Sequence, residues 1–124
     1  MENDQAIEAE IQAKGLTAPR VTPVDLQANI VSAHYFTANE GMRGTDASLD
    51  TFADTGSKYW HPQLALLTFC VLTLRNGFTV TGESACASPE NFNAELGQKI
   101  ARQNAEQKIW PLMGYALKEK LSAT

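Results

Sequence analysis

Small polar side chains that could contact a ligand collect in one short segment, residues 81–93. Ser84 lies near the end of a strand-like run, and Asn91 and Asn93 follow Ser88-Pro89, a dipeptide typical of a helix start. The first turn of a helix has free backbone N–H groups that favour an anion. This junction is therefore the best candidate ligand pocket in the sequence, although the ordinary role of the two asparagines would be helix capping.

Two basic side chains and several aromatic ones extend this set. Lys99 and Arg102 lie three positions apart on the predicted helix and share a face, and a guanidinium suits a planar or phosphate partner. A solvated helix face explains the same spacing without a ligand. Phe36 and Trp60 are able to stack on a base, but as core or interface residues they need no ligand.

Motifs for catalysis and metal binding are weak. The chain has no Walker-type loop, dinucleotide fingerprint or metalloprotease helix, and Gly82-Glu83-Ser84-Ala85-Cys86 has a cysteine where a nucleophile elbow needs its second glycine. His34, His61, Cys70 and Cys86 are zinc-ligand types, but their spacing lacks a close ligand pair. We expect no enzyme, no cofactor and no metal, and we expect buried thiols in preference to a disulfide.

The composition limits which kinds of partner the protein could bind. With 124 residues, 44% apolar and 19% charged, the chain is typical of one globular domain. Its net charge of −4 disfavours a long nucleic acid, although a pocket for a small phosphorylated ligand needs only a few local donors. The longest apolar run, residues 64–74, is too short to span a membrane, and the acidic start lacks the features of a signal peptide. We expect a cytoplasmic protein with no membrane contact.

The sequence pattern predicts an α+β fold that would position these residues. The fold has N-terminal helices, a central β-hairpin and a long C-terminal helix. Residues 1–18 form an N-terminal helical segment, and residues 19–124 form one domain. A second helix begins with Thr22 as its cap and runs to about Tyr35. Residues 39–58 show no period, so we predict a long loop that serves as a lid or partner surface.

The hairpin is predicted over residues 66–85, with a type I′ turn at Asn76-Gly77. After it, the long helix begins at Ser88-Pro89, and Pro111 should kink or split it. The residues expected in its buried face are Phe92, Leu96, Ile100, Ala101, Ala105 and Ile109. Because the sequence shows no clear third strand, the free hairpin edges indicate a sheet completed by oligomerisation, in at least a dimer.

Two family resemblances add to these expectations. Residues 66–72 and 76–86, with Pro89-Glu90-Asn91-Phe92-Asn93 and Lys108-Ile109-Trp110-Pro111, resemble a widespread family of small tailed-phage and prophage proteins known by phage gene-product numbers. The likeness covers about residues 19–121. It implies that the protein acts in the cytoplasm of an infected bacterium.

The second resemblance is to the first family of Thoeris anti-defence proteins, which sequester cyclic ADP-ribose-type signals and, in some members, CBASS cyclic oligonucleotides. It rests on a strand that ends in a Thr-Gly-x-Ser-like segment, an Asn-bearing turn and a helix with Gly-x-Lys-Ile-Ala. It implies pockets at a dimer interface, further assembly to a hexamer in some cases, and no turnover of the ligand.

The leading hypothesis from the sequence is therefore a phage sponge for a cyclic nucleotide. In this hypothesis Lys99 and Arg102 meet phosphate, and Phe36 or Trp60 stacks on a base. The polar edges of the ligand are contacted by Ser84, Asn91 and Asn93. The alternative is an interaction protein that inhibits or redirects a host protein through the predicted loop and the N-terminal helix.

Overall fold

The structure, a computed structural model, describes residues 2–49 and 60–124. It confirms the α+β class. Within the described residues, three strands form one antiparallel sheet in the order β1-β2-β3, and the longest helix packs across β2 and β3. The elements are α1 (Glu2–Ala13), α2 (Pro23–Ala28), β1 (Ile30–Thr37), α3 (Ala38–Leu49), β2 (Leu67–Leu74), β3 (Thr79–Ala85) and α4 (Ala94–Ser122), with single 3-10 turns at Leu64–Leu66 and Pro89–Asn91.

The predicted hairpin is confirmed, with β2 and β3 paired from Thr73 and Thr79 to Leu67 and Ala85. Its turn differs from the predicted type I′. Only Gly77 has a positive φ, of 88°, and its N–H donates to the carbonyl of Leu74 at 2.9 Å. This is the three-residue loop in which a type I turn is followed by a glycine bulge, so the glycine alone supplies the left-handed conformation.

The prediction of one helix from Thr22 to Tyr35 was wrong. The capping box of Thr22 and Asp25 starts α2, but α2 ends at Ala28 and the chain continues as strand β1. Asn29 marks the change, because its backbone carbonyl and its side-chain oxygen both accept the N–H of Arg75 at the end of β2. Pairing with β2 outweighs a helical repeat that rested on few apolar residues.

The sheet therefore gains its third strand from its own chain, although no third strand was clear from the sequence. β1 pairs with β2 from Ile30 and Leu74 to Thr37 and Thr68, with an irregularity between Ile30 and Ser32. An oligomer is not needed to complete a three-stranded sheet. The predicted homo-oligomer stays a prediction.

The predicted loop 39–58 was wrong over its first half, where α3 extends from Ala38 to Leu49. Thr37 and Glu40 form a capping box: the Glu40 carboxylate accepts the N–H of Thr37 at 2.8 Å, and the Thr37 hydroxyl accepts the N–H of Glu40 at 3.2 Å. This local start signal outweighs the two glycines that made the segment look irregular. The rest of the predicted loop, residues 50–58, lies outside the described residues.

One narrow stripe of α4 packs on the sheet. Its buried residues recur every four positions and are mostly small: Gly97, Ala101, Ala105 and Ile109. Gly82 on β3 makes this approach possible, because a Cβ there would lie 2.1 Å from the Ala101 carbonyl oxygen and 2.3 Å from the Ala105 nitrogen. The helix backbone thus lies directly on the strand backbone, and neither element has room for a larger side chain at this point.

Several details of the predicted long helix needed correction. Ser88-Pro89 starts only a 3-10 turn, and α4 begins five residues later, where the Asn93 side chain accepts the N–H of Leu96 at 2.9 Å. Pro111 lies inside a helix that continues to Ser122 and does not split it. Ala101, Ala105 and Ile109 are buried as predicted, whereas Phe92 is half-buried and Leu96 and Ile100 are exposed.

Helix α1 is attached mainly by side-chain bonds. It ends before Gly15, whose φ is 66°, as predicted. Arg20 donates to both carboxylate oxygens of Glu8, at 2.6 and 2.8 Å, and this hydrogen bonding lowers the pKa of Glu8 to about 2. Asp4 accepts the indole N–H of Trp110 at 3.3 Å. A groove of about 310 Å³ between α1 and α4 is lined by apolar side chains that include Ile7 and Trp110 and by charged ones that include Asp4, Glu8 and Arg20.

Candidate functional site

Two cavities flank the start of α4. The first, here called the Ser84 cavity, is lined by Ser84, Asn91 and Asn93 and has a volume of about 130 Å³. The structure thus brings together the three polar residues that the sequence placed at this junction. Leu66, Leu96 and Ile100 line the same cavity, so a ligand there would meet an apolar wall beside the three polar groups.

The second cavity lies between the first turns of α3 and α4 and has a volume of about 370 Å³. It is here called the Thr68 cavity. Phe36 and Trp60, the two stacking candidates from the sequence, both line it. Phe92 lines both cavities and so stands between them. Of these two cavities, the larger Thr68 cavity lies within the usual volume range for a small-molecule site, about 300–1,000 Å³, and the Ser84 cavity lies below it.

Neighbouring residues hold the aromatic walls of the Thr68 cavity in place. Phe36 packs on Phe69 of the neighbouring strand, with ring centroids 5.6 Å apart. Asn39, which is 3% exposed, accepts the backbone N–H of His61 at 2.7 Å and so fixes the chain next to Trp60. Trp60 itself is 53% exposed, so its ring is available at the cavity.

A buried hydroxyl lies at the base of this cavity. Thr68 is 2% exposed, and its Oγ1 is the only buried side-chain polar atom in residues 2–49 and 60–124 for which no hydrogen-bond partner is found. A Cβ on Gly97 would lie 3.1 Å from this oxygen, so the glycine leaves space for the hydroxyl against α4. Buried polar groups in folded proteins nearly always have a partner, which makes Thr68 a marked exception.

The charged groups that line the Thr68 cavity have opposite signs. Glu40 and Arg43 lie three positions apart on α3, and the Glu40 carboxylate already accepts the N–H of Thr37. Gln98 of α4 adds an amide that can both donate and accept. The described lining therefore combines aromatic surface with uncharged polar groups and one balanced pair of charges.

Arg102 lies on the opposite flank of the buried stripe from the Ser84 cavity. Its guanidinium donates to Glu106 at 2.8 Å, to Gln27 at 3.1 Å and to Tyr35 at 3.4 Å. The hydrogen bond to Glu106, then the one to Tyr35, raises the pKa of Arg102, which stays protonated. Within this structure, Arg102 ties α4 to α2 and β1 and lines neither cavity.

Lys99 lies on the exposed side of α4 and also lines neither cavity. It is two positions from Ala101, so the helical repeat of 100° per residue turns it away from the sheet. The seven candidate residues thus divide into three at the Ser84 cavity, two at the Thr68 cavity and two outside both.

The sheet keeps two of the zinc-ligand candidates on opposite faces. Cys70 is fully buried on the face that packs against α4, while His34 pairs with Val71 on the other face. In the described part of the chain, no group of three or more His, Cys, Asp or Glu side chains could hold a metal ion. Both cysteines are free thiols, and burial raises the pKa of Cys70. Cys70 is buried as predicted, and Cys86 is half-buried.

Sequence reasoning missed Thr68, Asn39 and Gln98. One signal for Thr68 was present, because strand alternation places it on the same face as Cys70 and Leu72, where a polar residue is unusual. Asn39 and Gln98 had no such signal. They meet at one cavity only because the starts of α3 and α4 lie at the same end of the sheet.

The fold and the two cavities define a small α+β protein built on one antiparallel sheet and one long helix. The chain belongs to the phage protein family described by phage N4 Gp49 and phage Sf6 gene 66, whose match covers residues 21–121. The expected phage family is thereby confirmed, and α1 lies before the matched range. No curated protein and no solved structure matches the chain. Among the described residues, no helix has the length and apolar character needed to cross a membrane.

Proposed function

We propose that this phage protein binds and sequesters a cyclic nucleotide signal of bacterial anti-phage defence without changing it chemically. The observation that carries the proposal is the Thr68 cavity, in which Phe36 and Trp60 provide aromatic surface next to the polar start of α4. Stacking on aromatic side chains is a common way to hold a base. The ligand class comes from the likeness of this strand, turn and helix to Thoeris anti-defence proteins.

The proposed division of roles follows the geometry. Ser84, Asn91 and Asn93 contact polar edges of the ligand from the Ser84 cavity. Lys99 provides a phosphate contact from the exposed side of α4. Arg102 takes part only if it exchanges its bond to Gln27 or Tyr35 for a phosphate oxygen. Because the net charge of −4 gives no long-range attraction to an anion, the affinity must come from close contacts.

A homo-oligomer, either a dimer or a hexamer, fits this proposal. The Thr68 cavity is near the lower limit of volume for a small-molecule site, and the Ser84 cavity is smaller still. A cyclic dinucleotide would fill either cavity only in part. A second copy would then cover the rest of the ligand, in the cytoplasm of the infected cell.

A thermal-shift screen tests the proposal directly. Cyclic ADP-ribose isomers and cyclic di- and trinucleotides are added to the full chain, with linear nucleotides as controls. A ligand at a hundred times its Kd adds about 2.7 kcal/mol to the free energy of unfolding, so we expect a rise in Tm of several degrees for one cyclic species. That species should be recovered intact after heating. A chemical change in it, or no shift with any of them, would contradict the proposal.

A second candidate function is an interaction protein that inhibits or redirects a host protein. The observation that favours it is the groove beside α1, where Ile7 is 54% exposed and Trp110 is half-buried. A pull-down of host lysate with the full chain separates the two functions. An interaction protein retains one host protein in stoichiometric amount, and this retention is lost when residues 1–18 are removed. A sponge retains none.

A further inference from the structure

The cavity at the base of α4 has properties that select one part of a nucleotide over the rest. Its described lining offers three aromatic side chains, Phe36, Trp60 and Phe92, and the amide of Gln98. A flat ring with a polar edge matches this combination, because the ring faces gain contact area and the edge meets an amide. A phosphate gains nothing from the aromatic walls.

Electrostatics at the cavity also disfavour a phosphate. Glu40 and Arg43 line it together, so their charges balance, and the Glu40 carboxylate is fixed there by the N–H of Thr37. A phosphate in the cavity would meet both charges, so repulsion from Glu40 offsets attraction to Arg43, while the phosphate still loses hydration in a partly desolvated site. An uncharged ring avoids this cost.

The Thr68 hydroxyl supplies the second, independent observation. It lies at a cavity wall, is buried, and has no partner among the described residues. A buried hydroxyl without a partner is unfavourable, because it has given up its hydrogen bonds to water and gained none in the protein. If the Thr68 side chain rotated toward the cavity, its hydroxyl could form a hydrogen bond to a heteroatom on the edge of a bound ring. Gly97, on the other side of the hydroxyl, has no side chain that could serve as a partner.

We infer that the Thr68 cavity is a nucleobase subsite, in which the base lies against Phe36 and Trp60 and turns its polar edge to Gln98 and Thr68. This inference rests on the proposed function, since it assigns one part of the proposed ligand to one cavity. The phosphates of that ligand lie outside the Thr68 cavity. Neutral nucleosides should therefore bind here without any phosphate.

The experiment is a titration of the ¹⁵N-labelled full chain with adenosine and guanosine, followed by NMR, with ribose 5-phosphate as the control ligand. We expect saturable shifts of the Trp60 indole and the Gln98 side-chain amide. The Trp110 indole, beside α1, should not shift and serves as an internal control. Ribose 5-phosphate should shift none of these signals. Shifts with ribose 5-phosphate, or nucleoside shifts confined to other regions, would overturn the inference.

Variants make the test quantitative. Trp60→Leu should weaken nucleoside binding about tenfold, because loss of one base–aromatic stack costs roughly 1–3 kcal/mol. The matched control is Tyr115→Leu, at a residue that is 71% exposed on α4, and it should leave binding unchanged. Thr68→Val should weaken binding by about fivefold, as expected for loss of one hydrogen bond, while Thr68→Ser should retain it. Equal affinity in wild type and Trp60→Leu would refute the subsite.

Different results decide the sponge proposal and the base-subsite inference. If a cyclic nucleotide binds tightly, but nucleosides do not bind and Trp60→Leu has no effect, the base subsite is wrong and the sponge proposal stands. If nucleosides bind at Trp60 but no cyclic nucleotide raises the Tm, the subsite stands and the sponge proposal is wrong. If neither class of ligand binds, both are wrong.

Discussion

Helices α1 and α4 are attached to the rest of the protein in opposite ways. Where α4 crosses the sheet, the backbones of Gly82 and Ala101 approach so closely that a single Cβ would not fit. Helix α1 is held by the Glu8–Arg20 pair and the Asp4–Trp110 hydrogen bond, and its Ile7 remains 54% exposed. Close backbone packing therefore makes α4 part of the core. A few partly buried polar bonds attach α1 only weakly, and α1 lies outside the range of the family match.

The largest effect is expected from Gly82→Ala. The new Cβ would lie 2.1 Å from the carbonyl oxygen of Ala101, so α4 must move away from β3 along its buried stripe. Overpacking against backbone should cost about 3 kcal/mol of the free energy of unfolding. Chemical denaturation followed by circular dichroism measures it. The matched control is Gly114→Ala, where nothing lies within 4 Å and helix propensity should add up to about 1 kcal/mol. Equal stability of the two variants would disprove the close packing.

A pair of isoleucine variants compares the two helices directly. Ile109 on α4 is fully buried, so Ile109→Ala should lower the free energy of unfolding by about 3 kcal/mol through lost burial and the cavity left behind. Ile7 on α1 is more than half exposed, so Ile7→Ala should cost less than about 1 kcal/mol. The same denaturation measurement serves both. Comparable losses would mean that α1 belongs to the same cooperative unit as α4.

The smallest effect concerns pH and α1 alone. The Arg20 hydrogen bonds lower the pKa of Glu8 to about 2, below its value in the unfolded chain. The contribution of Glu8 is therefore fully present above about pH 4.5 and is lost as the pH falls toward 2. Helical ¹³Cα shifts of Ile7 and Ile11 should report this loss, while those of Ala105 persist further. In Glu8→Gln the helical shifts of α1 should be weaker than in wild type above about pH 4.5, and they should show no such step at lower pH. If the variant and the wild type gave the same pH profile, the Glu8–Arg20 ion pair would not be what attaches α1.

Local chemistry explains which elements could be predicted. Asn76-Gly77 between two apolar runs predicts the hairpin, and Gly15 predicts the end of α1, because a glycine's conformational freedom acts locally. The same reasoning failed at β1, whose residues fit a helical repeat as well as a strand until β2 supplies hydrogen-bond partners. It also failed at α3, where the capping box of Thr37 and Glu40 was overlooked among glycines.

The candidate site was only partly predictable for a related reason. Ser84, Asn91 and Asn93 are close in sequence, so a strand end and the following helix start bring them together. Arg102 was predicted to face the same site, because spacing along a helix does not reveal which flank of the buried stripe a residue lies on. Packing of Gly97, Ala101 and Ala105 on the sheet fixes that rotation and turns Arg102 toward Tyr35 instead.

The sequence by itself determined the α+β class, the hairpin, the long C-terminal helix, the likeness to a phage family and the polar junction before α4. These follow from turn residues, caps and periodic patterns that act over a few positions. Only the tertiary structure decided that β1 completes the sheet, that Arg102 is held within the fold, and that Trp60, Thr68 and Gln98 line one cavity. Gln98 is far from Trp60 and Thr68 in the chain, and the three residues line one cavity only when α3, β2 and α4 are packed together.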